Sequence, residues 1–141
     1  MNPDVSVGDE LPPLRLPPVT RTTLALFAGG SGDHNPVHID LDAVRRAAVD
    51  DVFAHGMLSM AYLGRLLTSW VPQERIHSLR TRFSAITPVH AEPTCTGRVT
   101  AVDERPEGRR ARIELVVTLA DGTITLLGEA TVSVDPPAPG R

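Results

Sequence analysis

Apolar positions along the chain change period midway, and the change divides it into a helical half and a stranded half. Residues 1 to 19 carry five of the thirteen prolines, with Val and Leu between them. The chain therefore enters extended, as a strand or strap, because proline fixes φ and lacks the N–H that a helix needs. From Thr20 to Ala28, threonines suited to capping precede Leu24, Leu26 and Phe27, and Gly29-Gly30 follow, which predicts a short helix. Turn formers fill Ser31 to His38, where Pro36 interrupts any helix. Ala43 to Val49 reads as a second short helix capped by Asp40 or Asp42. The strongest helical signal runs from His55 to Trp70, through Met57, Leu58, Ala61, Leu63, Leu66 and Leu67, and Val71-Pro72 stops it. A helix so apolar around its circumference is expected to be largely enclosed.

Beyond Pro72 the period falls to two. Ile76 to Phe83, Thr94 to Val102, Arg112 to Leu119 and Ile124 to Val134 read as strands, the last two joined by a hairpin at Asp121-Gly122. Cys95, Val99 and Ala101 fall on one side of their strand, and Ile113, Leu115, Val117 and Leu119 on one side of the next, giving a sheet with one apolar face. The pattern predicts an α+β domain over residues 1–135, a curved antiparallel sheet wrapped around one long helix, followed by a Pro-rich disordered tail over 136–141. Leu63, Leu66, Leu67 and Trp70 have two readings, as core or as the wall of an acyl channel along the helix.

Composition narrows the function. A chain of 141 residues and 15.1 kDa suits a single core. With 41% hydrophobic and 22% charged residues it is globular, and a formal net charge of -3 provides no basic field for nucleic acid, so small ligands are the expected partners. No apolar window reaches the ~20 residues of a membrane span. No basic-then-apolar leader opens the chain, and the single Cys95 excludes an internal disulfide framework, so a cytoplasmic protein off the membrane is expected, with Cys95 a small core residue. All fourteen basic residues are Arg, which removes Schiff-base chemistry by a lysine amine.

The chemically dense segment is Gly32-Asp33-His34-Asn35-Pro36-Val37-His38. On composition alone it has a plain reading, in which Asp33 and Asn35 cap turns and the histidines are solvated. His34 and His38 stand four apart, as in some zinc sites, but Pro36 lies between them and no third ligand is evident, so no metal is expected. A second segment, His55-Gly56-Met57-Leu58, opens the long helix. The first N–H groups of a helix lack internal partners and lie at its positive end, so Gly56 could hold a substrate oxygen that gains negative charge, or simply allow dense packing. His55 reads as a cap, a packing residue or a substrate contact, not as a proton-transfer group.

Ser31 to His38 resembles the signature of MaoC-like hydratases and dehydratases, and His55-Gly56-Met57-Leu58 is similar to that family's helix start. The likeness extends from Val7-Gly8-Asp9 to the final strand, with Leu67 to Val71 pointing to the small catalytic subunits of two-subunit (3R)-hydroxyacyl-ACP dehydratases. The resemblance implies a hot-dog fold and reversible conversion of trans-2-enoyl to (3R)-3-hydroxyacyl thioesters of CoA or acyl carrier protein, without a cofactor. It implies a homodimer, or a heterodimer with a homologous hot-dog subunit. It also implies that Asp33 and His38 hold the catalytic water, that Asn35 shapes their loop, that the Gly56 N–H takes the thioester oxygen, and that His55 and Met57 touch substrate. Alternatives on the same fold are an acyl-thioesterase, which would need a carboxylate or nucleophile at the helix, and a non-catalytic partner subunit, which would lack Asp33 or His38.

Overall fold

The computed structural model describes residues 4–135. The tail expected over 136–141 lies outside the described residues. The proline-rich entrance runs as a strap along one edge of the sheet. Backbone bonds from Gly8 to Val99, Leu11 to Gly97, Leu16 to Pro93 and Val19 to Ala91 tie it down, and within it β1 (Leu14–Arg15) pairs with β3 (Thr94–Asp103). The other strands are β2 (Ile76–Phe83), β4 (Arg110–Thr118) and β5 (Ile124–Ser133). All pairings are antiparallel, in the order β1-β3-β4-β5-β2, so β2 forms one edge. The long helix α3 (Gly56–Trp70) packs across β2, β3 and β4. This is the α+β hot-dog architecture expected from the sequence.

Burial follows the two-residue period closely in β4, where Ala111, Ile113, Leu115 and Val117 are fully buried. In β3 it shifts. A bulge between Val99 and Ala101 moves the pairing by one residue, so that Val102 lies opposite Ala111 and packs on the core. Ala101, expected on the apolar face beside Val99, therefore turns off it. Leu63, Leu66 and Leu67 are 0–1% exposed against these strands, with Trp70 partly buried beside them, so they form core rather than a channel wall.

Three helical expectations need correction. The first helix, α1 (Arg21–Ser31), does not stop at Gly29-Gly30. Thr20 caps it by accepting from the Thr23 N–H, and it ends where Gly32 takes φ 77° and donates to the Ala28 carbonyl. A Cβ at Gly29 or Gly30 would meet nothing within 4 Å, so those glycines are neither crowded nor bent, and it is the left-handed residue that terminates the helix. The second helix, α2 (Leu41–Arg46), is capped by Asp40 and ends before Val49, with Ala48 at φ 59°. Finally, α3 is not enclosed all round: Leu58, Leu63, Leu66 and Leu67 face inward, but Met57 is 55% exposed and Ala61, Arg65 and Thr68 are exposed with it.

A smaller core of Val19, Leu24, Val44, Val52, Ala54, Leu58 and Val89 joins α1, α2 and the first turn of α3. An Arg21–Asp51 pair, bonded twice at 2.8 and 2.7 Å, ties the start of α1 to the segment before α3. Cys95 sits in the main core, where burial pushes its thiol up to about 12, the inert state expected of a packing residue. Among the described residues no helix is long and apolar enough to cross a membrane.

Because Leu67 is fully buried in the main core, Leu67→Ala should lower unfolding free energy by about 2–5 kcal/mol. Urea titration should show a lower midpoint with an unchanged slope.

Candidate active site

The loop after α1 is shaped by its own short side chains. Asp33 accepts from the Asn35 N–H at 3.2 Å, and Asn35 in turn accepts from the Val37 N–H at 3.2 Å, capping a 3-10 turn over Pro36–His38. Both are turns of the kind that Asp and Asn form with backbone two residues on. They fold the chain so that His38 points inward, 8% exposed, while Asp33 stays half exposed. Asn35 thus has the loop-shaping position expected of it.

The His38 ring is oriented from behind. Its Nδ1 lies 2.7 Å from the Phe53 carbonyl, and because a carbonyl only accepts, that nitrogen carries the proton and Nε2 is left bare. Nε2 stands 3.8 Å from Asp33 Oδ2. This is too long for a direct hydrogen bond and suited to one water donating to both acceptors. Phe53 is itself placed by bonds from its N–H to Val37 and from the Ala54 N–H to Thr87, and its ring meets His38 edge-on at 5.3 Å.

Asp33 and His38 share the wall of a cavity of about 440 Å³ with Gly56 and Met57 at the start of α3 and with Phe53, Phe83, Ile86 and Leu126. The walls are mainly apolar, with Asp33 and His38 among the polar side chains that line them. Gly56 has to be small here, since a Cβ on it would come within 2.8 Å of the Phe83 ring. With no side chain in the way, the unpartnered first N–H groups of α3 border the cavity. Met57 also lines it, at the position expected for a substrate contact.

Of the readings given to His55, packing is the one its position fits. It is 1% exposed and is not among the side chains lining the cavity. Instead its ring stacks on His38, with centroids 3.8 Å apart and planes 26° apart, and its Nε2 donates to the Asp33 carbonyl at 3.1 Å. As the N-cap residue of α3 it makes no side-chain capping bond. Burial holds its pKa below the ordinary histidine value.

Asp33, His38 and His55 each offer a ligand atom within 4.8 Å of the others, but the two stacked rings direct their in-plane lone pairs along nearly parallel planes rather than toward one ion. His34 is exposed and lies outside this group. What the sequence did not disclose was the aromatic and backbone frame. The chain has three Phe, and all three stand here: Phe27 meets His55 edge-on at 4.8 Å, Phe53 orients His38, and Phe83 covers Gly56. Their scarcity elsewhere was the available signal.

The family model of the MaoC like domain matches residues 7–122. The chain is 31% identical, over 116 residues, to an (R)-specific enoyl-CoA hydratase of Rhodospirillum rubrum, covering 82% of this chain and 80% of that one. Among solved structures it is similar to the (R)-hydratase from A. caviae involved in PHA biosynthesis, with a TM-score of 0.82, 25% identity, and coverage of 94% of this chain and 98% of that one. It shares its fold with a chain of the ChsH1-ChsH2 complex from Mycobacterium tuberculosis, with a TM-score of 0.78, 23% identity, and coverage of 91% and 97%.

The buried state of His55 has a consequence for stability. Its folded pKa lies below the ordinary value of 6.5, so as pH falls through that value the unfolded chain binds a proton that the folded chain refuses. Stability should fall with pH below about 6.5, until folded His55 also protonates. Urea titrations from pH 7.5 to 5 should show this slope in the native chain and a shallower one in His55→Phe.

Proposed function

The chain belongs to the MaoC-like domain family, and on that premise we propose that it is a hydro-lyase adding water reversibly to trans-2-enoyl thioesters of CoA or acyl carrier protein, to give (3R)-3-hydroxyacyl thioesters. The observation that carries this reading is the pairing of Asp33 Oδ2 with the bare Nε2 of His38, 3.8 Å apart, on the wall of a mainly apolar cavity that also meets the start of α3. The named relatives, an (R)-specific enoyl-CoA hydratase and an (R)-hydratase, support the same reaction and the same hand of product.

Hydration removes one proton from water as its oxygen bonds to the β-carbon, and supplies one proton to the α-carbon. The Asp33–His38 pair, both of whose facing atoms start as acceptors, takes the first proton from water and then gives it up to the α-carbon, so the pair's total charge is unchanged over the addition. General acid/base help of this kind is worth about 10²–10⁴-fold. The electrons displaced from the double bond collect on the thioester oxygen. The Gly56 N–H and the positive end of α3 are suited to hold that charge, and loss of such a donor costs ~10²–10³ in rate. The cavity's apolar side, with Phe53, Met57, Phe83, Ile86 and Leu126, suits an acyl chain. A thioesterase would need a nucleophile or carboxylate on α3, and its first turn, Gly56-Met57-Leu58-Ser59, has only the buried Ser59.

The working unit in this reading is a dimer, of two copies or of this chain with a homologous hot-dog subunit. β2 leaves one sheet edge unpaired, which invites another chain. Asp33 and Met57 also border a second, open, mainly apolar hollow of about 540 Å³ with Phe27, Met60, Ala61 and Leu79. A second chain seated there would close the site from that side.

With crotonyl-CoA, the purified chain should consume the conjugated thioester absorbance and yield the (R) product on chiral chromatography. Asp33→Asn, with unchanged melting, and His38→Ala, compared per folded protein, should each lower turnover at least about a hundredfold. An (S) product, or full activity in either folded variant, would remove the assignment. Light scattering at micromolar concentration should give particles of at least twice 15.1 kDa, and monomers alone would contradict the dimer.

A further inference from the structure

The site contains one buried titratable group that the reaction does not use. His55 is held between the edge of Phe27 and the face of His38, its Nε2–H reaches the Asp33 carbonyl, and its Nδ1 finds no hydrogen-bond partner among the described residues. We propose that His55 is a positioning residue for both catalytic side chains: its ring is the seat on which the His38 imidazole rests, and its N–H is the clamp on the backbone of Asp33. The inference rests on the hydratase reading and deepens it.

An apolar ring of similar size would fill the same space without burying a nitrogen that nothing satisfies. Packing alone thus disfavours a histidine here, and its polar atom in use points at Asp33. Asp33 is half exposed, and its carboxylate is held within the loop by the Asn35 N–H. Its backbone has one long-range tether, the bond from His55, twenty-two residues further along the chain.

His38 is likewise fixed at two points. The Phe53 carbonyl sets the direction of its Nδ1–H, but a single hydrogen bond leaves the ring free to tilt about that axis. The flat face of His55 at 3.8 Å removes that freedom. The same residue thus sets the positions of both acceptors that face the water, and hence their separation. A misplacement of the order of 1 Å costs about 10²-fold in rate. The neutral form of His55 also suits the chemistry, since a His38 that has taken a proton would be repelled by a charged ring stacked on it.

The two contacts can be separated by substitution. His55→Phe keeps a flat ring and removes the N–H. His55→Gln keeps an N–H able to reach the Asp33 carbonyl and removes the ring, and His55→Ala removes both. Assayed with crotonyl-CoA, the Phe and Gln variants should each lose about tenfold or more in kcat with KM within about twofold, and the Ala variant should lose about 10²-fold. Native kcat in both the Phe and Gln variants, or a loss that matches only the fraction of unfolded protein seen by circular dichroism, would overturn the proposal.

A measurement on the unaltered chain keeps the proposal testable should the variants not fold. Long-range ¹⁵N–¹H spectra should show His55 as the neutral Nε2–H tautomer at pH 7.5, above the ordinary histidine value. A Nδ1–H tautomer there would mean that the clamp does not exist, whatever reaction the protein catalyses. Conversely, a chain that leaves crotonyl-CoA untouched but shows the expected tautomer would remove the reaction and leave the geometry standing.

Discussion

The site depends on backbone carbonyls holding histidine rings still. The Phe53 carbonyl accepts a hydrogen bond from the His38 Nδ1–H at 2.7 Å, and that bond decides which nitrogen faces the cavity. If the ring were turned over, or its proton moved to Nε2, the wall beside Asp33 would present a donor where the reaction needs an acceptor. The Phe53 backbone can serve because it is bonded to Val37 on one side and its neighbour Ala54 to Thr87 on the other. The segment before α3 thereby becomes a short rib between the loop that carries Asp33 and His38 and the segment that follows β2, although it belongs to no regular element.

Stability and chemistry are drawn from different parts of the molecule. The main core, between Leu63, Leu66 and Leu67 and the inner face of the sheet, lies toward the C-terminal part of α3. The first turn of the same helix rests on the smaller core with α1 and α2. One rigid element thus spans both, and this lets a loop with exposed charge and several turns be positioned with the precision of a helix. The half-exposed Asp33 would be a poor anchor alone, but it is flanked by a left-handed glycine at the end of α1 and by a proline that stiffens the turn after it.

Much of this was legible in the sequence, for physical reasons that differ by element. Alternation in β4 reports a face buried along its whole length, so it read correctly; in β3 the same rule placed Ala101 inward because a bulge leaves no mark in a two-residue pattern. Gly29-Gly30 looked like a helix end because glycine is the usual terminator, yet termination requires a positive φ, and that falls at Gly32. Asp33, His38, Asn35, Gly56 and Met57 could be singled out as candidates because they lie close together in two short segments of the chain. His55 was left between cap, packing residue and substrate contact, since stacking depends on two segments seventeen positions apart meeting face to face. The roles of Phe53 and Phe83 are set by tertiary approach alone, and no local pattern encodes them.

The two glycines that fail to end α1 have a different importance. They occupy the last turns of the helix that leads into the catalytic loop, and nothing surrounds them that alanine would disturb. Each forgoes roughly 0.5–1 kcal/mol of helix stability relative to alanine. That deficit falls on the segment just before Asp33 and leaves the sheet untouched. The end of α1 can therefore fray at a small fraction of the cost of global unfolding, giving the loop a local reserve of motion while the rings behind it stay fixed.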